Sequence, residues 1–307
     1  MFRPLMFATV AILFCGPLLC RNAPADEAAQ QKAIRQIVKD HRTDLVRSFY
    51  HSKALGRDQA FALFVPKSYD PAKASPVVVF LHSWWTNFED KQWLRVAEIP
   101  GSIQDQCNQR GWIAVGPEAG GNTWYYGSSE QQVLETVDHL TKYLNIDANR
   151  LVLIGRSMGG AGALTVAMHH PDRVMGVVAL APVSDYVEFS QGNPGLLLSG
   201  QPGSVSGSFG GLPTDIPDAY RKMSAIHGVD VLKKLPIYII HGGKDTIVPV
   251  SHSQKLVPLL KKAGGTVQYK EMPKEEHNME MIEWFADEYF KFIDAHAGKA
   301  QREQAQR

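Results

Sequence analysis

The pentapeptide Gly155-Arg156-Ser157-Met158-Gly159 carries the clearest chemistry in this chain of 307 residues. It lies between an apolar run at 151–154 and a stretch of small residues that opens at Gly160. A strand, a tight turn and a helix in that order lift the central serine above the strand ends, and the flanking glycines remove Cβ atoms that the turn would crowd. A serine hydroxyl is a weak nucleophile until a histidine takes its proton and an acid orients that histidine. On such an elbow the partners follow in the order acid, then histidine. His241-Gly242-Gly243-Lys244-Asp245 follows the apolar run 237–240, so Asp245 falls in a loop at a strand's C-terminal end. Pro273-Lys274-Glu275-Glu276-His277 follows the next strand-like run and puts His277 in the loop after it. Ser157, Asp245 and His277 are therefore candidate nucleophile, acid and base, all leaving the sheet at the edge where open α/β folds bind ligands.

The elements that must position them alternate along the chain. Continuous apolar runs at 76–81, 113–115, 151–154, 174–180 and 237–240, with a further run at 266–271, read as strands, the continuous ones buried on both faces of a sheet. Helical patterns fall at 26–39, 131–144, 160–169, 251–262 and 279–296, and a hairpin is expected from 45–51 and 59–65 around Leu55-Gly56-Arg57-Asp58. This alternation implies an α/β fold with a mostly parallel central sheet and helices on both faces. The Gly/Pro/Ser-rich stretch 190–211 has the composition of a linker or long surface loop, and is read as part of an insertion at about 186–220 within one domain, 26–297. The polar tail 298–307 is expected to fray.

With 44% hydrophobic and 21% charged residues the chain has a globular composition, which excludes disorder for its bulk. A formal charge of +1 and the absence of a basic block speak against a nucleic-acid partner. Met1-Phe2-Arg3, the apolar run 5–19 and Ala23-Pro24-Ala25 have the order of a cleaved export signal, residues 1–25, implying a secreted or periplasmic protein. The Gly16-Pro17 break argues against a membrane span. Lipoprotein anchoring through Cys20 is disfavoured by the bulky Leu19 before it. Cleavage would leave Cys107 as the one cysteine, so an internal disulfide is excluded. No Cys/His pair has zinc-ligand spacing.

Together the elbow at Ser157, the Gly-x-x-Asp-x-x-Val-Pro pattern from Gly242 to Pro249, the late His277 and His82 after the run 76–81 resemble the α/β-hydrolase superfamily. Within it, the likeness is to secreted esterases of the feruloyl esterase, polyhydroxybutyrate depolymerase-like and prolyl oligopeptidase-like groups, over about residues 45–295. The resemblance implies an α/β-hydrolase fold with Ser157 as nucleophile, His277 as base and Asp245 as acid. It also implies an oxyanion hole from the backbone N–H groups of Met158 and Trp84. Relatives usually carry His-Gly-x where this chain has His82-Ser83-Trp84, so Ser83 is a departure that brings its own hydroxyl.

Other residues compete for these roles. Asp185, after the run 174–180, stands where some relatives carry the acid. His241, His252, His169 and His170 sit at strand or helix ends, where packing, capping or the helix dipole explains them. Trp84, Trp85, Trp124 and Tyr125 lie in polar, Gly-rich sequence, and with Ser83 are candidates for a cleft wall that stacks on a sugar or an aryl acyl group. The function this implies is hydrolysis of a carboxylic ester, carbohydrate-linked or aryl, through an acyl-serine, without metal or organic cofactor. Three alternatives stay open: a prolyl oligopeptidase-like serine peptidase, disfavoured because no propeller precedes the hydrolase-like sequence; acyl transfer to an acceptor other than water; and a non-catalytic binding protein on the same fold.

Overall fold

The computed structural model describes residues 45–84, 98–192 and 194–305, with Lys32, Ile34 and Gln36 before them. The expected export signal, most of the first expected helix and Trp85 lie outside the described residues. Lys32, Ile34 and Gln36 are helical, and Ile34 is buried in the core.

Among the described residues eight strands form one sheet: β1 (Val46–Ser52), β2 (Arg57–Phe64), β3 (Ser75–Leu81), β4 (Ile113–Pro117), β5 (Ile146–Arg156), β6 (Val174–Leu180), β7 (Ile237–Gly242) and β8 (Val267–Met272). Their order is β1-β2-β4-β3-β5-β6-β7-β8. The β1–β2 hairpin pairs antiparallel with β4, and every pair from β4 to β8 is parallel. The apolar runs are continuous because each central strand feeds two cores. Val77, Val79 and Leu81 of β3 join Leu153 and Val177 on one face, whereas Val78 and Phe80 join Ile154 and Tyr238 on the other. Helices Ser128–Leu140, Met158–His169 and Ser251–Lys262 cover the first face. Gly101–Arg110 and the C-terminal helices cover the second.

Four elements differ from expectation. Helix Gly101–Arg110 escaped the sequence pattern because its buried face is only Ile103, Gln106 and Cys107, too few apolar residues to show a stripe. It ends at Gly111, at φ 69°, with Arg110 stacked over Phe290 and paired with Asp294 at 2.7 Å. The helix expected at 279–296 breaks at Phe285 into Met281–Trp284 and Ala286–Ala305. The tail expected to fray from 298 continues this last helix to Ala305.

The largest difference is the Gly-rich stretch, which is helical rather than a loop. Tyr186–Gly192, Pro194–Leu197, Val205–Phe209 and Pro217–Met223 are short helices with local start and stop signals. Ser204 caps one through the Gly207 N–H at 2.9 Å, Gly210 ends it at φ 84°, and Pro217 opens another. Their aromatic residues are buried in a mutual cluster, where Phe209 meets Tyr186 and Tyr220 at ring separations of 5.1 and 4.9 Å, and the half-buried Tyr126 of the segment after β4 stacks on Phe209 at 4.8 Å.

Candidate active site

Ser157 stands between β5 and helix Met158–His169 at φ 53° and ψ −116°, a conformation that costs energy for any residue but glycine. The turn is over-determined by its neighbours. The Ser157 N–H donates to the Leu180 carbonyl of β6 at 2.8 Å, and its carbonyl accepts from Ala161 N–H at 3.0 Å. Gly159 is pressed so close to β3 that a Cβ there would collide with the carbonyl oxygens of Leu81 and His82. That approach brings the elbow against the loop 82–84.

The acid and base come from two loops bonded to each other. After β7, Gly243 N–H donates to Met272 O and Lys244 N–H to Glu275 O, both at 2.8 Å, while Gly242 leaves no room for a Cβ against the Glu276 carbonyl. Asp245 is buried, and its Oδ1 accepts from the N–H groups of Ile247 and Val248, both at 2.9 Å. The His277 Nδ1–H donates to Asp245 Oδ2 at 2.6 Å, which leaves Nε2 to accept from the Ser157 hydroxyl at 3.0 Å. Burial pushes the Asp245 carboxyl up, but hydrogen bonds from His241 and His277, the charge of His277 and the Val248 N–H outweigh it and hold the group well below the usual carboxylate range. An acid that stays ionised there fixes the imidazole tautomer that Ser157 needs.

His241, which the sequence left as a packing residue, adjoins this acid. It is fully buried, with Nε2 at 2.9 Å from the Val248 carbonyl and 3.5 Å from Asp245 Oδ2, and Nδ1 at 2.7 Å from Ser253 Oγ. A carbonyl only accepts, so Nε2 carries the proton and Ser253 donates to Nδ1. The spacing from His241 to Asp245 was visible in the sequence, but nothing there showed that the side chains converge. Asp185, the rival acid, caps helix Tyr186–Gly192 instead: its Oδ1 accepts from Val187 and Glu188 N–H at 2.9 and 3.1 Å. His252 is buried, and desolvation first, then His241 and Lys255 nearby, push its imidazole down to about 4 against the opposing Glu188 and Asp185. His169 and His170 share the Glu130 carboxylate, at 2.9 and 3.1 Å.

On the opposite side, Met158 opens its helix, where the first N–H groups lack partners within the helix. Trp84 lies two residues past His82, and its indole N–H donates to the Gly203 carbonyl at 2.8 Å. His82 is buried, with its ring nitrogens at 2.8 Å from Ser83 O and 2.9 Å from Glu118 O. Burial pushes its pKa down, against the two carbonyls that favour the charged ring.

The expected cleft wall needs correction at three residues. The Ser83 hydroxyl points to the Arg156 carbonyl at 3.2 Å, bracing the loop against β5 rather than facing a ligand. Trp124 is 4% exposed, its ring packed against Tyr186 and Phe189 at 5.8 and 5.5 Å and its N–H bonded to Gly203 O at 2.9 Å. Tyr125 is fully buried: its hydroxyl donates to His82 O at 3.0 Å and its ring fills the space left by Gly162. Both residues take positive φ, 53° and 54°, which turns their side chains inward from a loop whose polar sequence suggested exposure. Among the four candidate rings, Trp84 alone is described and partly exposed.

Against known proteins, a family model described as the prolyl oligopeptidase family matches residues 120–300. Inactive dipeptidyl peptidase 10 of Rattus norvegicus is 26% identical over 146 residues, 48% of this chain and 17% of that protein. The uncharacterized peptidase YtmA of Bacillus subtilis is 24% identical over 175 residues, 55% of this chain and 65% of that protein. The chain thus spans less than two thirds of these relatives. Among solved structures, the fluorophosphonate-binding serine hydrolase F of Staphylococcus aureus aligns with a TM-score of 0.64 at 16% identity, over 81% of this chain and 98% of that one. An S-formylglutathione hydrolase from Agrobacterium tumefaciens aligns with a TM-score of 0.58 at 20% identity, over 83% and 97%. These likenesses and the mostly parallel sheet identify the architecture as the α/β-hydrolase fold.

Proposed function

Because the chain belongs to the prolyl oligopeptidase family, a serine hydrolase family on the α/β-hydrolase fold, we propose that it is an active hydrolase cleaving a carboxylic ester through an acyl-serine. One observation carries this reading: the unbroken hydrogen-bonded series Ser157, His277, Asp245. In the proposed cycle His277 Nε2 takes the Ser157 proton as Oγ attacks the substrate carbonyl. The N–H groups of Met158 and Trp84 stabilise the oxyanion. The protonated His277, held by Asp245, then gives its proton to the leaving alcohol, and water attacks the acyl-serine by the same route in reverse. Support for an ester comes from a solved structure described as a thermostable esterase, which aligns with a TM-score of 0.54 at 22% identity, over 85% of this chain and 62% of that one.

A peptidase is the second reading, favoured by the family's description and by the Bacillus subtilis relative. The two separate on purified protein assayed with p-nitrophenyl acetate, methyl ferulate and aminoacyl p-nitroanilides. Ester turnover lost by a factor of about 10³ or more in Ser157→Ala, with an unchanged melting temperature, is the expected result. Turnover of the anilides above the esters would move the assignment to a peptidase. Equal rates in Ser157→Ala and wild type would end both.

A further inference from the structure

Beside the loop that carries Trp84, the segment at 120–129 and the short helix Val205–Phe209 line an open cavity of about 420 Å³. That volume lies within the ~300 to 1,000 Å³ typical of small-ligand sites. Among the described residues the lining holds no charged side chain and no Leu, Ile, Val or Met; its polar groups come from Asn122, Thr123, Tyr126, Ser129 and Ser208, with Pro202 and Gly203 forming part of the wall. The hydroxyls of Tyr126, Ser129 and Ser208 engage no other described residue. The Tyr126 ring is backed by Phe209 at 4.8 Å, which fixes its plane at the wall.

These properties select a ligand by elimination. An ionised group held here would meet no countercharge among the described lining residues, and an apolar group would leave the hydroxyls it covers without partners. A polyhydroxylated ring fits both conditions, because each of its hydroxyls donates and accepts as Ser and Tyr do, and its C–H face packs on an aromatic ring. The cavity is also tied to the reaction centre. The Gly203 carbonyl in its wall accepts both indole N–H groups, from Trp84 at 2.8 Å and Trp124 at 2.9 Å. Trp84 is the residue whose backbone N–H was assigned to the oxyanion. Trp124 anchors that carbonyl from the core, and Trp84 joins it to the loop that follows β3.

We propose that this cavity is the subsite for a hydroxylated group of the ester, a sugar ring or comparable polyol, one side chain away from the oxyanion site. The proposal rests on the ester-hydrolase reading and replaces Trp124 and Tyr125 by Tyr126, Ser129 and Ser208 as the substrate-recognising residues. Two variants test it: Ser208→Tyr, which fills the cavity, and Tyr126→Phe, which removes only a hydroxyl. For each, kcat/KM is measured on an acetylated methyl glucoside and on p-nitrophenyl acetate, which has no sugar, together with the melting temperature. Ser208→Tyr should lower kcat/KM for the sugar acetate about 10-fold or more, and Tyr126→Phe about 3- to 10-fold, with p-nitrophenyl acetate held within about 2-fold.

Unchanged sugar-acetate rates in both folded variants would overturn the subsite while p-nitrophenyl acetate turnover left the hydrolase reading standing. Calorimetric titration of wild type and Ser208→Tyr with free methyl glucoside gives the second arm. Binding to wild type that Ser208→Tyr abolishes, alongside loss of sugar-acetate turnover, supports the subsite. Glucoside binding by a protein that turns over no ester would overturn its assignment to an ester substrate.

Discussion

The elbow with its two companion loops and the helical segment between β6 and β7 both rely on glycine, yet they use it for opposite ends. At the elbow, glycine lets backbones touch: Gly159 meets β3, and Gly242 meets the loop that carries His277. In the helical segment, Gly200, Gly203 and Gly210 take positive φ between short helices, and aromatic rings supply the cohesion. The first region is held by hydrogen bonds at fixed distances and tolerates almost no change in shape. The second is held by packing area and tolerates changes that keep volume and apolar character. A function built on both regions separates into chemistry at the first and recognition at the second.

The largest expected effect breaks the first region alone. Asp245→Asn should lower kcat by about 10³- to 10⁴-fold, because the amide favours the wrong imidazole tautomer, whereas Asp185→Asn should leave kcat near wild type. Steady-state kinetics on one ester decides between them, and a larger loss in Asp185→Asn would transfer the acid to the helix cap. The next effect lies where the second region packs against the segment after β4. Trp124→Ala removes a buried ring and should cost ~3 to 5 kcal/mol in denaturant unfolding. A cost near zero would return Trp124 to the cleft wall.

The smallest effect lies at the seam between the regions. His169 bonds Glu130 on one side and the Lys222 carbonyl on the other, joining helix Met158–His169 to Pro217–Met223. The Glu130 hydrogen bond raises the His169 pKa against its burial. Burial pushes the Glu130 carboxyl up, but hydrogen bonds from both histidines bring it below its ordinary value. A raised histidine adds stability that is fully present below its unfolded pKa, ~6.5, and is lost as pH rises through the folded value. A lowered Glu130 adds stability that is present above its unfolded pKa and lost as pH falls through the folded one. His169→Gln should therefore destabilise by less than about 1 kcal/mol, and by more at pH 5.5 than at pH 8.5, measured by urea unfolding at both. Equal losses at the two values would mean that the histidine acts through packing alone.

Legibility in the sequence followed the same division. The parallel strands announced themselves because burial on both faces demands continuous apolar runs, and Ser157, Asp245 and His277 could be picked out because the elbow fixes glycine spacing and partner order. The helices between β6 and β7 did not, since each is too short for a 3.6-residue period to emerge and their Gly and Pro residues mimic a loop. Trp124 and Tyr125 misled for a related reason. A polar, Gly-rich context suggests exposure, but a positive φ can turn a loop side chain into the core, and φ leaves no mark at a non-glycine residue. Tyr126, next along the chain, lines a cavity, and one step of sequence carried no signal to separate it from its neighbours.

The backbone bonds from Gly243 to Met272 and from Lys244 to Glu275 have a kinetic consequence. Neither can form until β8 has docked on β7, and that docking is a parallel pairing between segments roughly thirty residues apart. The pairing of β7 with β6 joins Val177 to Ile237, twice that separation, so the longer loop must close before the pair of loops can meet the elbow. A refolding chain would recover its core fluorescence first and its reactivity toward an active-site fluorophosphonate last, so the interval between the two signals times the assembly of β6, β7 and β8 into one sheet edge.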